Sequence, residues 1–145
     1  MIRIYTDGAC KGNPGPGGWG VLIINDSIKK EIYGGEAETT NNRMELSAVI
    51  EALKSVDGLA CPITIFTDSK YVLKGMSEWI KKWKINNWIS SNKKPVKNKD
   101  LWLTLDSLSS LYKIDWIWVK GHSGHPENDR ADFLANLGVV EVEKK

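Results

Sequence analysis

Two segments of this chain end in the same way. Ile4-Tyr5-Thr6-Asp7 and Ile65-Phe66-Thr67-Asp68 each carry apolar residues into a terminal aspartate followed by a small residue. Placed on adjacent parallel strands, both carboxylates would stand at the carboxyl edge of the sheet, where open α/β sheets bind ligands. Two carboxylates that close repel each other, and a divalent cation is the natural way to keep both ionised. One such aspartate alone is better read as a turn or helix cap, and Asp68 directly precedes a helix that begins near Ser69. The duplication favours metal binding.

Other acids could join the pair. Glu45, in TTNNRMEL, falls in the first turn of a helix, on the border of its apolar stripe beside Val49 and Val56. It could point along the sheet edge, or it could be an acid favoured by the helix macrodipole. The last helix offers Glu127, Asp129 and Asp132. Helical geometry turns Asp132 away from Phe133, Leu134 and Leu137, so the pattern alone reads it as solvated and does not choose it over Asp129. His122 lies in a glycine-rich loop, Lys-Gly-His-Ser-Gly-His-Pro, from which an imidazole could approach a reacting phosphate or release a product. His125, just before Pro126, suits a turn-fixing role. Neither has the i, i+4 helical pairing of a zinc site.

A basic, tryptophan-rich segment is the second chemical feature. Residues 70–99 contain nine lysines and one acid, Glu78, so this stretch is +8 in a chain whose net charge is +2. That asymmetry points to a polyanionic partner bound at one place. Trp79, Trp83 and Trp88 are interleaved with Lys81, Lys82 and Lys84, and Trp102 follows Lys93, Lys94, Lys97 and Lys99. Ammonium groups neutralise phosphates, and indoles stack on sugars and bases. Trp79 and Trp83 are also spaced as core residues of an amphipathic helix would be, since tryptophan is usually mostly buried.

The elements that must position these residues follow from periodicity. IRIYT at 2–6 reads as a strand, GNPGPGG at 12–18 as a turn, WGVLII at 19–24 as a second strand and KKEIYGGEA at 29–37 as a third. In 41–56, Leu46, Val49, Ile50, Leu53 and Val56 recur at helical spacing. PITIFT at 62–67 is a short buried strand, and helical patterning resumes to about residue 85. Residues 86–97 read as a loop or protruding turn, 98–110 as a helix, 113–119 as a fifth strand and 127–137 as a final helix after Pro126. The last eight residues, 138–145, are expected to be loose. The order β-β-β-α-β-α-α-β-α predicts an α/β fold, with a five-stranded mixed sheet of three antiparallel meander strands plus two parallel strands, flanked by helices.

Size and composition bound the answer. A chain of 145 residues fits one domain, 1–145, and at 41% apolar and 26% charged it is unlike disordered or fibrous sequences. The two cysteines, Cys10 and Cys61, lack CxxC spacing and read as small buried thiols. The start, MIRIYTDG, lacks the basic and apolar runs of a signal peptide, and no apolar stretch approaches the roughly 18–20 residues that span a bilayer. A cytoplasmic, reducing location and no membrane partner are expected, and nothing indicates an oligomer, so a monomer is expected.

Together the segments YTDGACKGNPGPGGWG, TTNNRMEL, IFTDSKYV, KKPVKNKDLW and VKGHSGHPENDRAD resemble ribonuclease H of type 1, the bacterial form. They stand in that family's order and cover essentially residues 2–137. The resemblance implies the ribonuclease H-like fold and an endonuclease that hydrolyses the RNA strand of an RNA–DNA hybrid. Asp7, Glu45, Asp68 and Asp132 match the family's four metal-binding acids, which decides Asp132 over Asp129, and His122 matches its catalytic loop histidine. Asn13, Asn41 and Asn42 match residues that contact the hybrid along its minor groove. Thr40 and Arg43 match the pocket for a DNA-strand phosphate. The stretch from Trp79 to Val96, with Lys81, Lys82, Trp83 and Lys84, matches the basic protrusion, and Trp102 an aromatic residue of the DNA-binding channel.

The implied chemistry uses two Mg²⁺ ions, with Mn²⁺ as a possible substitute, one activating water and the other stabilising the departing 3′-oxygen. Products would carry a 5′-phosphate and a 3′-hydroxyl, and cutting would be largely independent of sequence. Two positions depart from the common pattern. Lys70 stands beside the substrate where bacterial members often have Gln, and Ser123 replaces a common Ala in the histidine loop. Two other readings compete: another nuclease of the same fold, which would share the acids but not both the Trp-rich protrusion and the GNPGPGG turn, and a non-catalytic hybrid-binding module, against which the intact acid set argues.

Overall fold

The computed structural model describes residues 1–56, 62–121 and 124–144. The strands are β1 (Ile2–Cys10), β2 (Gly15–Asn25), β3 (Ile28–Thr39), β4 (Ile63–Thr67) and β5 (Ile114–Trp118). The helices are α1 (Asn41–Ser55), α2 (Lys70–Lys74), α3 (Ile80–Ile85), α4 (Lys99–Ser109) and α5 (Pro126–Glu143), with a π-helical stretch, Gly75–Trp79, joining α2 to α3. The sheet runs in the order β3-β2-β1-β4-β5. β3, β2 and β1 are antiparallel neighbours, and β1, β4 and β5 are parallel. This is the expected five-stranded mixed sheet.

Alternation along the strands decides which side chains face which helix layer. Ile2, Ile4, Val21, Ile63 and Ile65 face the layer containing α1, where they meet Leu46, Val49, Ile50 and Leu53, all buried. Thr40 starts that helix, its hydroxyl accepting a hydrogen bond from the Arg43 amide at 3.2 Å. Tyr5, Leu22 and Ile24 face the other way and are covered with Ala131 of α5. That helix lies almost on the backbone of β2. A Cβ on Gly20 would come within 2.4 Å of the Ala131 carbonyl oxygen, so only glycine permits the approach.

The expectation of a loose tail over 138–145 is overturned. Helix α5 continues to Glu143, with Gly138 and Val139 buried. Gly138 allows the helix to pass over β3 at Gly34, and Lys11 pairs with Glu143 at 3.0 Å near the helix end. The apolar periodicity had simply not stopped at residue 137, since Val139 extends the covered face by one more turn.

Candidate active site

β1 and β4 are adjacent and parallel, with Ile4 opposite Ile65 and Tyr5 opposite Phe66. Just beyond this pairing Asp7 and Asp68 come side by side, as the duplicated pattern required of adjacent parallel strands, while β1 itself continues against β2 to Cys10. Glu45 enters from the first turns of α1. Its helix reaches the strand end because residue 8 has no side chain: a Cβ there would lie 2.6 Å from the Glu45 amide nitrogen and 2.8 Å from its Oε1. Asp7, Glu45 and Asp68 each offer a carboxylate oxygen within 4.8 Å of the others. With Asp132 from α5 they line one cavity of about 360 Å³, whose rim includes Asn41, Asn42, Ser69 and Lys70. The helix-cap alternative falls on a neighbour: Ser69, not Asp68, caps α2 by accepting from the Val72 amide at 3.2 Å.

Asp7 and Glu45 are 6% and 5% exposed, so like charges are gathered with little water to screen them. Burial first, and then repulsion from Glu45 and Asp68, holds the Asp7 carboxyl far above its ordinary value of 3.8. Burial and Asp68 likewise hold Glu45 above its ordinary 4.5. A folded-state pKa raised above the unfolded value stabilises the protein at low pH and is lost as pH rises through the folded value, because the native state then binds the extra protons. The metal-free protein is therefore expected to lose thermal stability as pH climbs from about 4 through neutrality. Mg²⁺ or Mn²⁺ should raise the melting temperature more at pH 8 than at pH 5. Melting curves in EDTA and in each metal check this, and a metal effect independent of pH would contradict it. An oxygen-only donor set of clustered carboxylates fits a hard divalent cation.

The remaining expected residues are placed as follows. The Asn13 side-chain carbonyl accepts from the Asn41 amide at 3.1 Å, which ties the loop after β1 to the start of α1. Arg43 does not stand free beside Thr40. Its guanidinium makes a two-pronged pair with Asp100 at 2.8 and 3.0 Å and also donates to Asn98 at 3.2 Å. Through those hydrogen bonds Asp100 holds the arginine charged and is itself held below the usual carboxylate range. Lys84 is turned toward α4, where it pairs with Asp106 at 3.0 Å, whereas Lys81 and Lys82 are exposed. Trp79 and Trp83 are half-buried and, with Lys82, Asn86 and Ile89, line a second cavity of about 460 Å³ on the protrusion.

Trp102 is a correction. Expected in the DNA-binding channel, it is completely buried. Its indole nitrogen donates to the Tyr71 hydroxyl at 3.0 Å, and its ring packs 5.3 Å from those of Tyr71 and Trp83. The residue anchors α4 beneath the protrusion and presents nothing to a ligand. Its buried ring has its polar atom satisfied, as a core tryptophan requires. Cys10 is half-buried, its thiol directed to the carbonyls of Thr39 and Gly15. His122, Ser123 and Cys61 lie outside the described residues.

Sequence reasoning passed over Asp100, the partner of Arg43, and Trp118, whose indole nitrogen donates to the Asp68 carbonyl at 3.2 Å. A helix-start acid and a strand-end tryptophan carry no local signal of such roles. Gly8 could have been found, because a glycine directly after a candidate ligand marks a close backbone approach.

The chain matches known proteins over nearly its whole length. The RNase H family profile covers residues 1–140. Ribonuclease H of Dechloromonas aromatica (strain RCB) is 59% identical over 143 residues, covering 97% of this chain and 95% of that protein. Among solved structures, LC9-RNase H1, described as a type 1 RNase H with the type 2 active-site motif, superposes with a TM-score of 0.87 at 31% identity, over 97% of this chain and 72% of the other. LC11-RNase H1 in complex with an RNA/DNA hybrid superposes with a TM-score of 0.76 at 25% identity, over 99% of both chains.

Proposed function

The chain belongs to the RNase H family, is a ribonuclease that acts on RNA–DNA hybrids, and on that premise we propose how its own residues do so. The observation that carries the reading is the meeting of Asp7, Glu45 and Asp68 within 4.8 Å in a cavity shared with Asp132. These four acids are assigned as ligands of two Mg²⁺ ions, with Mn²⁺ able to substitute. Bound there, the ions supply an activated water as nucleophile and a counter-charge for the departing 3′-oxygen, so the products carry a 5′-phosphate and a 3′-hydroxyl.

The protein's part is positioning. Asp7 lies within β1, paired with β2 at Gly20, and Asp68 directly follows β4, so both are held by the sheet, and Glu45 is held by a helix packed directly against Gly8. His122, which precedes α5 in the sequence, is assigned to proton handling or product release. Asn41 and Asn42 line the cavity, Asn13 is hydrogen-bonded to the Asn41 amide, and the three are assigned to the minor groove of the hybrid, where 2′-hydroxyls distinguish RNA. Thr40 and Arg43 are assigned to a DNA-strand phosphate; binding there requires Arg43 to exchange Asp100 for the phosphate. Contacts of these kinds read sugar and phosphate, so cutting is largely sequence-independent.

Lys81 and Lys82 provide the grip of the protrusion on the DNA strand, with Trp79 and Trp83 behind them. Changing Lys81, Lys82 and Lys84 together to Met is expected to weaken hybrid binding and to lower the slope of log K against log salt by about two. Each phosphate contact is worth roughly 0.9 in that slope, and Lys84 adds less because Asp106 already neutralises it. Binding titrations across a salt series test this, and an unaltered slope would refute the assignment.

Among the described residues no helix is long and apolar enough to cross a membrane. A cytoplasmic monomer completes the reading. The deciding experiment compares RNA–DNA hybrid, duplex RNA and duplex DNA as substrates in Mg²⁺. The RNA strand of the hybrid alone should be cut; equal cutting of duplex DNA, or hybrid binding without cleavage in either metal, would sink the proposal.

A further inference from the structure

Trp118 closes β5 on the same sheet edge that carries Asp68, and 47% of it is exposed. Strand pairing sets Trp118 opposite Thr67, and the next amide, Val119, donates to the Thr67 carbonyl at 3.0 Å. From there the indole makes two contacts with the carboxylate pocket. Its Nε1–H donates to the Asp68 carbonyl at 3.2 Å, and the Lys70 ammonium sits 5.4 Å from its ring centroid. Lys70 itself is on the wall of that pocket, together with Asp7, Glu45, Asp68 and Asp132.

We propose that Trp118 is a positioning residue with two separable tasks: its N–H fixes the backbone of the metal ligand Asp68, and its ring face holds the Lys70 ammonium at the mouth of the pocket as a cationic clamp for a phosphate of the bound hybrid. The proposal rests on the hybrid-nuclease reading above. The physical argument concerns where an unrestrained lysine would go. A flexible ammonium beside four acids has those acids as its nearest anions, and settling on them it competes with the metal. The electron-rich indole face gives it another seat, at the rim, where the next anion to arrive is nucleic acid. Held there in advance, the side chain loses less freedom when a phosphate binds. The indole N–H, on the same ring, keeps Asp68 in register with that seat.

Three variants separate the tasks. Lys70→Met removes the cation alone. Trp118→Phe keeps an aromatic face and removes the N–H. Trp118→Leu removes both. Hybrid binding is measured in EDTA, where no strand is cut, over a salt series; Mn²⁺ binding to the protein alone is measured by calorimetry. For Lys70→Met the salt slope should fall by about one, with Mn²⁺ affinity undiminished. For Trp118→Phe the slope should stay as in the parent while Mn²⁺ affinity drops several-fold. Trp118→Leu should show both changes, and adding Lys70→Met to it should leave the slope where Trp118→Leu alone put it. A Lys70→Met slope equal to the parent's, or Trp118→Leu matching the parent in slope and Mn²⁺ affinity, overturns the proposal alone. A parent protein that binds neither hybrid nor Mn²⁺ overturns the nuclease reading and this proposal together.

Discussion

Asp68→Asn is expected to cut the rate of RNA-strand cleavage by roughly a thousandfold or more, while affinity for the hybrid in EDTA stays within about twofold of the parent. A bound metal supplies several kcal/mol of charge stabilisation to a phosphoryl transition state, and each 1.36 kcal/mol is a factor of ten in rate, so losing about 4 kcal/mol gives that loss. Binding should survive because the grip on the polyanion comes from lysines elsewhere, above all Lys81 and Lys82 on the protrusion. The same substitution should leave the metal-free protein more stable at pH 8, or at least no less so. Asp68 is a source of the repulsion that burdens both Asp7 and Glu45, and an amide at that position removes it. Steady-state rates, hybrid titrations and melting curves on one preparation test all three statements. Unchanged activity would remove Asp68 from the ligand set. A large fall in stability together with activity would point to a structural role instead.

Trp102→Ala is expected to destabilise the protein by about 3–5 kcal/mol, the usual cost of emptying a buried tryptophan site. The indole is fully buried, packs tilted against Tyr71 and edge-to-face against Trp83, and donates to the Tyr71 hydroxyl at 3.0 Å. Its loss leaves a cavity where α4 meets the protrusion and takes one of the two donors from the Tyr71 hydroxyl, which keeps the Asn98 side-chain amide at 3.1 Å. Trp102→Phe should cost less, since most of the ring volume stays and the hydrogen bond goes. Denaturant unfolding gives the stability change. Hybrid affinity, measured at a temperature where the variant remains folded, should barely move, which separates a core anchor from a residue that stacks on the substrate. A clear loss of affinity with stability intact would restore the channel role first expected of it.

Much of the architecture was legible along the chain. Period-two alternation through 2–6, the apolar run at 19–24 and the helical spacing of Leu46, Val49, Ile50 and Leu53 are local signals that report directly on burial, whereas the turn expected at 12–18 is shorter, since β2 already begins at Gly15. The same signals failed where the outcome depends on a distant surface. Residues 138–143 are helical because α5 finds a glycine-lined strip of β2 and β3 to lie on, and nothing in the residues themselves announces that strip. Trp102 carries the same flanking lysines as an exposed tryptophan would; only the packing of α4 onto Tyr71 and the α2–α3 segment decided that it is core.

The carboxylates divide along the same line. That Asp7 and Asp68 are a candidate pair was legible in the sequence, because matching runs into an aspartate on adjacent parallel strands must bring the two side chains to one edge; that β1 and β4 are such neighbours came from the tertiary structure. Glu45 was permitted by its helical position, and the tertiary structure chose it, through a helix pressed against the bare backbone of Gly8. Asp132 was singled out by its motif, since the helix pattern alone called it a solvated acid. Only the docking of α5 across Gly20 turns it into the cavity that holds the other three. Periodicity reports the burial of an element's own face, whereas a catalytic cluster is made where several elements end, and the distances between those ends are set by packing.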